Sequence, residues 1–241
     1  MAVTRNRIEK NLQRIRETID AACSRRGRSG DEVKLVAVTK SVDVETIRNL
    51  LDAGVTELGE SRAQQLAERA GEIAAHLQRR RNELPAPVRW HMIGHLQRNK
   101  VKAVLEAASV IHSVDSLRLA EEINARCERL DRRMDVLLEI NCSGEQQKYG
   151  CAVGAALHLG ELICTLKHLR LVGLMTMAPL SENPEDARAS FVRLRELFEE
   201  MQGEKIGGGS LRELSMGMSQ DYRVAVEEGA TMVRIGTALF E

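Results

Sequence analysis

What most constrains this chain is a rhythm. Eight short apolar runs, rich in Val, Ile and Leu, are separated by longer amphipathic stretches. The runs are 34–40, 55–60, 88–94, 109–115, 134–141, 169–177, 211–217 and 231–237. Several are apolar almost throughout, as expected of strands buried on both faces of a parallel sheet. The stretches between them carry helical period. One shows Leu119, Ile123, Cys127 and Leu130; another shows Phe191, Leu194, Phe198 and Met201. The second opens with Asn183, Pro184, Glu185 and Asp186: a cap residue, a proline at the first helical position, then acids on the positive end of the helix dipole. Eight strands alternating with helices in 241 residues predict one (β/α)8 TIM barrel spanning 1–241. A doubly wound sheet is the alternative, and it more often has fewer strands.

The two ends of the chain fit the barrel. Ile8, Leu12, Ile15 and Ile19 form one helical stripe, and Gly27, Ser29 and Gly30 break it, which predicts an extra N-terminal helix over 4–26. The chain stops at Glu241, directly after the eighth run. An eighth outer helix is therefore expected to be missing, with helix 4–26 covering the gap. No repeat, low-complexity tract or linker is visible. The longest irregular pieces, 79–87 and 203–210, are expected to be loops at the N-terminal ends of strands.

Composition narrows the function. Lys plus Arg number 35 and Asp plus Glu number 35, so the net charge is zero. That balance argues against a nucleic-acid surface or a polybasic membrane anchor. One Trp, two Tyr and three Phe are too few for a base-stacking platform. Cys23, Cys127, Cys142, Cys151 and Cys164 contain no C-x-x-C pair and are odd in number; they read as reduced thiols, mostly core fillers, in a cytoplasmic protein. No signal-peptide core and no transmembrane run is present.

In such a barrel the active site lies at the C-terminal ends of the strands. The first run ends in Lys40, and Val36, Val38 and Lys40 share one face by the two-residue period of a strand. If that face looks inward, the ammonium ends an apolar strand at the mouth, where burial would make the amine a better nucleophile for a carbonyl. A lysine reaching into solvent is the plain alternative. After the seventh run come Ser215, Met216, Gly217, Met218 and Ser219, with a helix expected to begin near Ser219 or Gln220. Small residues and a hydroxyl at a helix start make an anion seat, although a simple turn with a cap reads the same way. The eighth run closes with Arg234, Ile235, Gly236 and Thr237. The loops after strands seven and eight are the common phosphate site of barrels. Amine, phosphate seat and arginine together describe a site for a phosphorylated aldehyde.

A resemblance then becomes explicit. AVTK ending at Lys40, GES at 59–61, HMIGHLQRNK at 91–100, EINCSGEQQKYG at 139–150, GLMTMAP at 173–179, SMGMSQD at 215–221 and VRIGTALF at 233–240 stand in one order. The chain resembles the pyridoxal phosphate homeostasis protein family, which is similar to the N-terminal barrel of alanine racemase. The resemblance implies a covalent aldimine between Lys40 and pyridoxal 5'-phosphate. It implies that Ser215, Met216, Gly217, Met218, Ser219, Gly236 and Thr237 hold the phosphate. Arg234 would lie near the cofactor, against the pyridine nitrogen or on the phosphate. An arginine at that nitrogen cannot accept the pyridinium proton, so the ring would be a weak electron sink. The chain departs from the family pattern at Ser61, where Asn is usual, at Asp43, near a common Pro, and at Glu241, where Gly often follows the Phe.

Other residues read more plainly. His91 and His95 are four apart, but Met92 replaces the Glu of a zinc-protease motif and the segment starts as a strand, so no metal site is expected. Gln97, Arg98, Asn99 and Lys100 read as a polar helix cap, a solvated face or a binding surface. Glu145, Lys148 and Tyr149 read as a solvated loop at the functional end, and Arg79, Arg80 and Arg81 as a solvated helix end.

The leading expectation is a non-catalytic binder of pyridoxal 5'-phosphate that buffers it or delivers it to apo-enzymes, monomeric or weakly dimeric. A one-domain amino-acid racemase is the alternative, and a Schiff-base aldolase a weaker one. Racemisation needs a second base on the opposite face; in the similar racemase this is a Tyr from a further domain. This chain is read as ending at its barrel, and its tyrosines are Tyr149 and Tyr222.

Overall fold

A computed structural model describes residues 2–79, 84–145 and 147–241. Among the described residues nine strands form, in chain order: β1 Lys34–Val38, β2 Glu57–Glu60, β3 Arg89–Met92, β4 Val110–Val114, β5 Met134–Asn141, β6 Cys151–Ala152, β7 Leu169–Met175, β8 Glu213–Ser215 and β9 Met232–Ile235. All pairings are parallel. The order β1-β2-β3-β4-β5-β7-β8-β9 returns to β1 through Leu35↔Val233 and Ala37↔Ile235, which closes an eight-stranded barrel. Each expected apolar run supplies one barrel strand. β6 was not foreseen: it is two residues long and pairs on β5 through Ile140↔Cys151, too short to leave a period.

Alternation along the strands sorts the barrel into two cores. Outward residues such as Ala37, Leu58, Trp90, Ile111, Val136, Leu174, Leu214 and Val233 join the helices in one continuous apolar layer. A smaller inner cluster holds Val110, Leu137, Val172 and Met175. Below it, at the N-terminal ends of the strands, the interior is charged. Lys34 pairs with Glu213, and Arg170 grips Asp135 at 2.6 and 2.8 Å. The barrel is thus plugged at its base and polar at its mouth.

Helices α1 Arg5–Ser24, α2 Val44–Asp52, α3 Ala63–Gln78, α4 Val101–Leu105, α5 Leu117–Arg129, α6 Ala156–Cys164, α7 Arg188–Gly203, α8 Tyr222–Glu227 and α9 Thr237–Phe240 surround it. α1 lies where helix 4–26 was expected. Its Ile8, Ile15 and Ile19 are buried. Asn11 Nδ2 donates to Leu239 O at 3.1 Å, and Asn49 Nδ2 of α2 donates to Val3 O at 2.9 Å, so α1 bridges α2 to α9 and covers the gap. Two expectations need correction here. A single helical turn, α9, does follow β9. Leu130 lies past the end of α5 and is 55% exposed.

The Asp43 carboxylate accepts the Thr46 N–H at 2.8 Å and caps α2. Asn183 accepts from Glu185 N at 3.2 Å, but one 3-10 turn, Pro184–Ala187, precedes α7. Among the cysteines, Cys23, Cys127 and Cys142 are buried as expected, whereas Cys164 is exposed. Arg80 and Arg81 lie outside the described residues. Among the described residues no helix is long and apolar enough to cross a membrane.

Candidate functional site

At the top of β1 the chain turns earlier than expected. The strand ends at Val38, and Lys40 is exposed in the turn that follows. The turn is held from behind. Thr39 Oγ1 donates to Glu60 Oε1 at 2.5 Å, and Arg69 of α3 donates to the carbonyls of Thr39 and of Val42, the latter at 2.7 Å. Arg69 also pairs with buried Glu60. These bonds bracket Lys40 without touching its amine. Among the described residues no hydrogen bond or ion pair engages that amine. Arg69 was invisible in the sequence because a charged residue on a helix reads as solvated.

β9 runs beside β1, so its end arrives at the same place. A Cβ built on Gly236 would stand 3.4 Å from Val38 Cβ, two residues before Lys40. Ser219, from the loop after β8, accepts the N–H groups of Gly236 and Ala238 on its Oγ, both at 3.2 Å. That hydroxyl staples the two loops together. The N–H of Met218 is taken by Asp221 Oδ1 at 2.6 Å. Those of Ser219 and Thr237 have no acceptor within the chain among the described residues. Met216 turns outward into the core, so it can offer only backbone to the loop. The expected helix start also shifts, because α8 begins at Tyr222.

Gly217 makes this loop possible. Its φ of +91° suits glycine, and a Cβ there would lie 2.6 Å from Ala225 Cβ and 3.0 Å from Tyr222 Cα. Gly217→Ala is expected to cost about 2 kcal/mol or more, read as a lower midpoint in urea unfolding. An unchanged midpoint would show that the loop has slack.

Inside the mouth, Arg234 is 4% exposed. Its Nη1 donates to Ser215 Oγ at 2.7 Å and its Nη2 to Thr176 O at 2.9 Å. Burial pushes its pKa down to about 10, with Glu139 and Asp221 acting the other way, so the guanidinium stays charged at neutral pH. Glu139 of β5 is also buried. Desolvation first, then the Asp115 carboxylate, lift its pKa to about 7 while Arg234 opposes them. Its Oε2 has no hydrogen-bond partner among the described residues. Ser215 continues into two histidines: His112 Nδ1 lies 2.9 Å from Ser215 Oγ, and His112 Nε2 lies 2.8 Å from His91 Nδ1.

The remaining candidates sort by position. His91 turns into the barrel and His95 stacks on Tyr149 with ring centres 3.8 Å apart, so the two histidines do not converge. The loop after β5 is anchored and not simply solvated: Lys148 Nζ donates to Ala178 O at 3.0 Å and pairs with Glu145 at 2.6 Å. Arg98, Asn99 and Lys100 form an exposed 3-10 turn before α4. A cavity of about 1100 Å³ lies elsewhere, between α3 and residues 84–88, and the described residues that line it include no lysine, arginine, histidine or hydroxyl. The turn that carries Lys40, the loop after β8 and Arg234 lie at the C-terminal ends of β1, β8 and β9.

That arrangement fits a phosphorylated aldehyde: an unengaged amine, a two-loop cradle with free N–H groups, and a buried carboxyl with an unpartnered oxygen. The family profile described as "Alanine racemase, N-terminal domain" matches residues 3–241. A relative from Aquifex aeolicus, named pyridoxal phosphate homeostasis protein, is 40% identical over 231 residues, 96% of each chain. The chain belongs to the pyridoxal phosphate homeostasis protein family. Solved structures place the family in three dimensions. A protein of unknown function from Bifidobacterium adolescentis superposes with a TM-score of 0.90 at 37% identity, covering 98% of this chain and 95% of that one. PipY of Synechococcus elongatus, solved with pyridoxal phosphate bound, superposes with a TM-score of 0.79 at 30% identity, covering 97% and 100%.

Proposed function

We propose that this protein binds pyridoxal 5'-phosphate in the cytoplasm, holds it as a Schiff base on Lys40, and buffers it or passes it to apo-enzymes. The observation that carries the reading is local. The loop after β9 packs on Val38, so the phosphate seat lies beside the turn that presents the free Lys40 amine. The names of the relatives and the cofactor bound by PipY support it.

The residues divide the work. Ser219 fixes the two loops, and the N–H groups of Ser219 and Thr237 receive the phosphate. Ser215, Gly217 and Gly236 shape the seat, with Met216 and Met218 contributing through the chain alone. Arg234, whose guanidinium is held by Ser215 and Thr176, is assigned to the ring and not to the phosphate. When bound, the cofactor supplies an electrophilic aldehyde and an electron-withdrawing ring. A cation facing the ring nitrogen keeps that ring unprotonated and blunts its pull on electrons.

The protein works as a carrier and not as a racemase. Tyr149 is 58% exposed and stacks on His95, and Tyr222 sits at the start of α8. Among the described residues neither hydroxyl bonds to the network around Arg234. The test is a chiral amino-acid assay on protein loaded with pyridoxal phosphate, beside transfer of the cofactor to an apo-enzyme. Transfer without steady racemisation is expected. Racemisation of alanine or serine at ordinary enzyme rates would sink the carrier reading.

A further inference from the structure

The barrel interior holds a continuous polar chain that cofactor binding alone does not require. It runs Glu57–His91–His112–Ser215–Arg234. Glu57 opens β2 at the base of the barrel, and its Oε2 lies 2.5 Å from His91 Nε2. The contacts of 2.8 Å to His112 and 2.9 Å to Ser215 follow, and Arg234 closes the chain at 2.7 Å. His91, His112 and Ser215 are fully buried, whereas the Glu57 side chain is 23% exposed.

Elementary donor and acceptor counting fixes how this chain behaves. Arginine only donates, so Ser215 Oγ always accepts from Arg234. A neutral imidazole has one N–H, so His112 must donate at one nitrogen and accept at the other. Burial, with the positive charges of His91, Arg234 and Arg89 adding to it, holds the His112 pKa well below its usual value, which keeps that ring neutral. Two arrangements remain. With His91 neutral, its Nε2–H donates to Glu57 and its Nδ1 accepts from His112 Nε2–H. His112 Nδ1 then accepts the Ser215 hydroxyl. With His91 protonated, both its nitrogens donate. His112 must turn over to its Nδ1–H form, and the Ser215 hydrogen is released to a new acceptor.

We propose that Glu57, His91, His112 and Ser215 form a proton relay that carries one proton between the cofactor pocket and the His91–Glu57 pair at the base. The balance is simple. A proton arrives at Ser215 Oγ while the hydroxyl's own proton passes to His112 Nδ1. The proton on His112 Nε2 passes to His91 Nδ1, leaving an imidazolium against the Glu57 carboxylate. Run backwards, the same steps return the proton to the pocket. In the charged state Ser215 is free to donate to an oxygen of the bound ligand, so binding and proton uptake favour each other. His91 and His112 are positioning residues here, since each acts through Ser215. The inference rests on the reading that a phosphorylated aldehyde occupies the top of β8 and β9.

The surroundings suit the stored charge. Glu57 from β2 faces His91 directly. Arg89 from β3 stands 3.8 Å from Glu57 and 4.0 Å from Asp135 of β5. Lys34 of β1 also acts on Glu57, though it is paired with Glu213 of β8. Toward the mouth, Arg234 of β9 is offset by Glu139 of β5 and by Asp221 of the loop after β8.

The test reads the rings themselves. Long-range nitrogen–proton NMR on imidazole-labelled, unliganded protein reports both tautomer and charge. His112 is expected to change from the Nε2–H to the Nδ1–H form at the pH where His91 gains its proton. Glu57→Gln removes the carboxylate charge near the barrel's base, away from the pocket, and should lower that midpoint by about one pH unit or more. A His112 that keeps one tautomer throughout, or a midpoint unmoved in Glu57→Gln, would overturn the relay. Calorimetry with pyridoxal phosphate in buffers of different ionisation heat adds the linkage. Proton uptake above the His91 midpoint is expected in the wild type and reduced in Glu57→Gln; equal uptake in both would also overturn it. Absence of any pyridoxal phosphate binding would sink the cofactor reading instead, while the tautomer measurement still decides the relay.

Discussion

Lys40→Ala should erase the visible absorption of the protein loaded with pyridoxal phosphate, together with the borohydride-stable adduct on the Lys40 peptide. The effect is expected to be complete, because the Lys40 amine is unengaged whereas two other lysines at the barrel ends are held. Lys34 lies on the same face of β1 but at the base, paired with Glu213, and Lys148 is spent on Glu145 and the carbonyl of Ala178. Folding should not suffer. Lys40 is exposed, and among the described residues nothing pairs with it, so the substitution belongs with surface changes worth about 0.5 kcal/mol or less. The turn keeps its shape because Arg69 and Glu60 hold it through Thr39 and Val42. Chemistry and stability are thereby separated within one variant. The phosphate seat and Arg234 survive in it, so a weaker, colour-free binding should persist and be visible by calorimetry. A variant that kept both band and adduct would move the attachment to another amine and undo the assignment of Lys40.

The barrel was legible because strands buried on both faces must be apolar almost throughout, and those eight runs stand out from the amphipathic helices between them. The shape of the 215–219 loop was legible because its parts are local: one glycine with positive φ and one serine within five residues. Other features were hidden for physical reasons. β1 seemed to run to Lys40 because the alternation continues past Val38, where the strand ends, and the Thr39 N–H still bonds Gly59 O at 3.0 Å. β6 is too short to show a period. The relay is the clearest case. His91 and His112 are 21 residues apart, and His112 and Ser215 are 103 apart. Only barrel closure brings them together, and each alone reads as a polar residue inside an apolar run. His91 was noticed for its spacing to His95, a partner that the fold turns away from it.

Glu139 carries the second large effect, and its direction runs against intuition. In the unfolded chain this carboxyl titrates near the ordinary value of 4.5, whereas in the barrel it holds its proton to about pH 7. The folded pKa is raised, so between those values the folded state binds more protons than the unfolded one. Stability is then full below about pH 4.5 and falls as pH rises toward 7. The difference corresponds to about 3 kcal/mol once the carboxyl is fully ionised. Desolvation is the main cause, because Glu139 is only 4% exposed, and Asp115 adds repulsion that Arg234 only partly offsets. Glu139→Gln keeps the shape and removes the ionisation. It should match the wild type near pH 4, lose the decline toward pH 7, and be more stable at pH 8 by about 2 to 3 kcal/mol, measured by urea unfolding across that range. A variant whose stability falls with pH as the wild type's does would place the titrating group elsewhere. The wild type tolerates this cost at the inner wall of the pocket, within the field of Arg234. A carboxyl that destabilises the fold at the barrel mouth fits the proposed binding site. The same variant should therefore also change how ligand affinity depends on pH between 6 and 8.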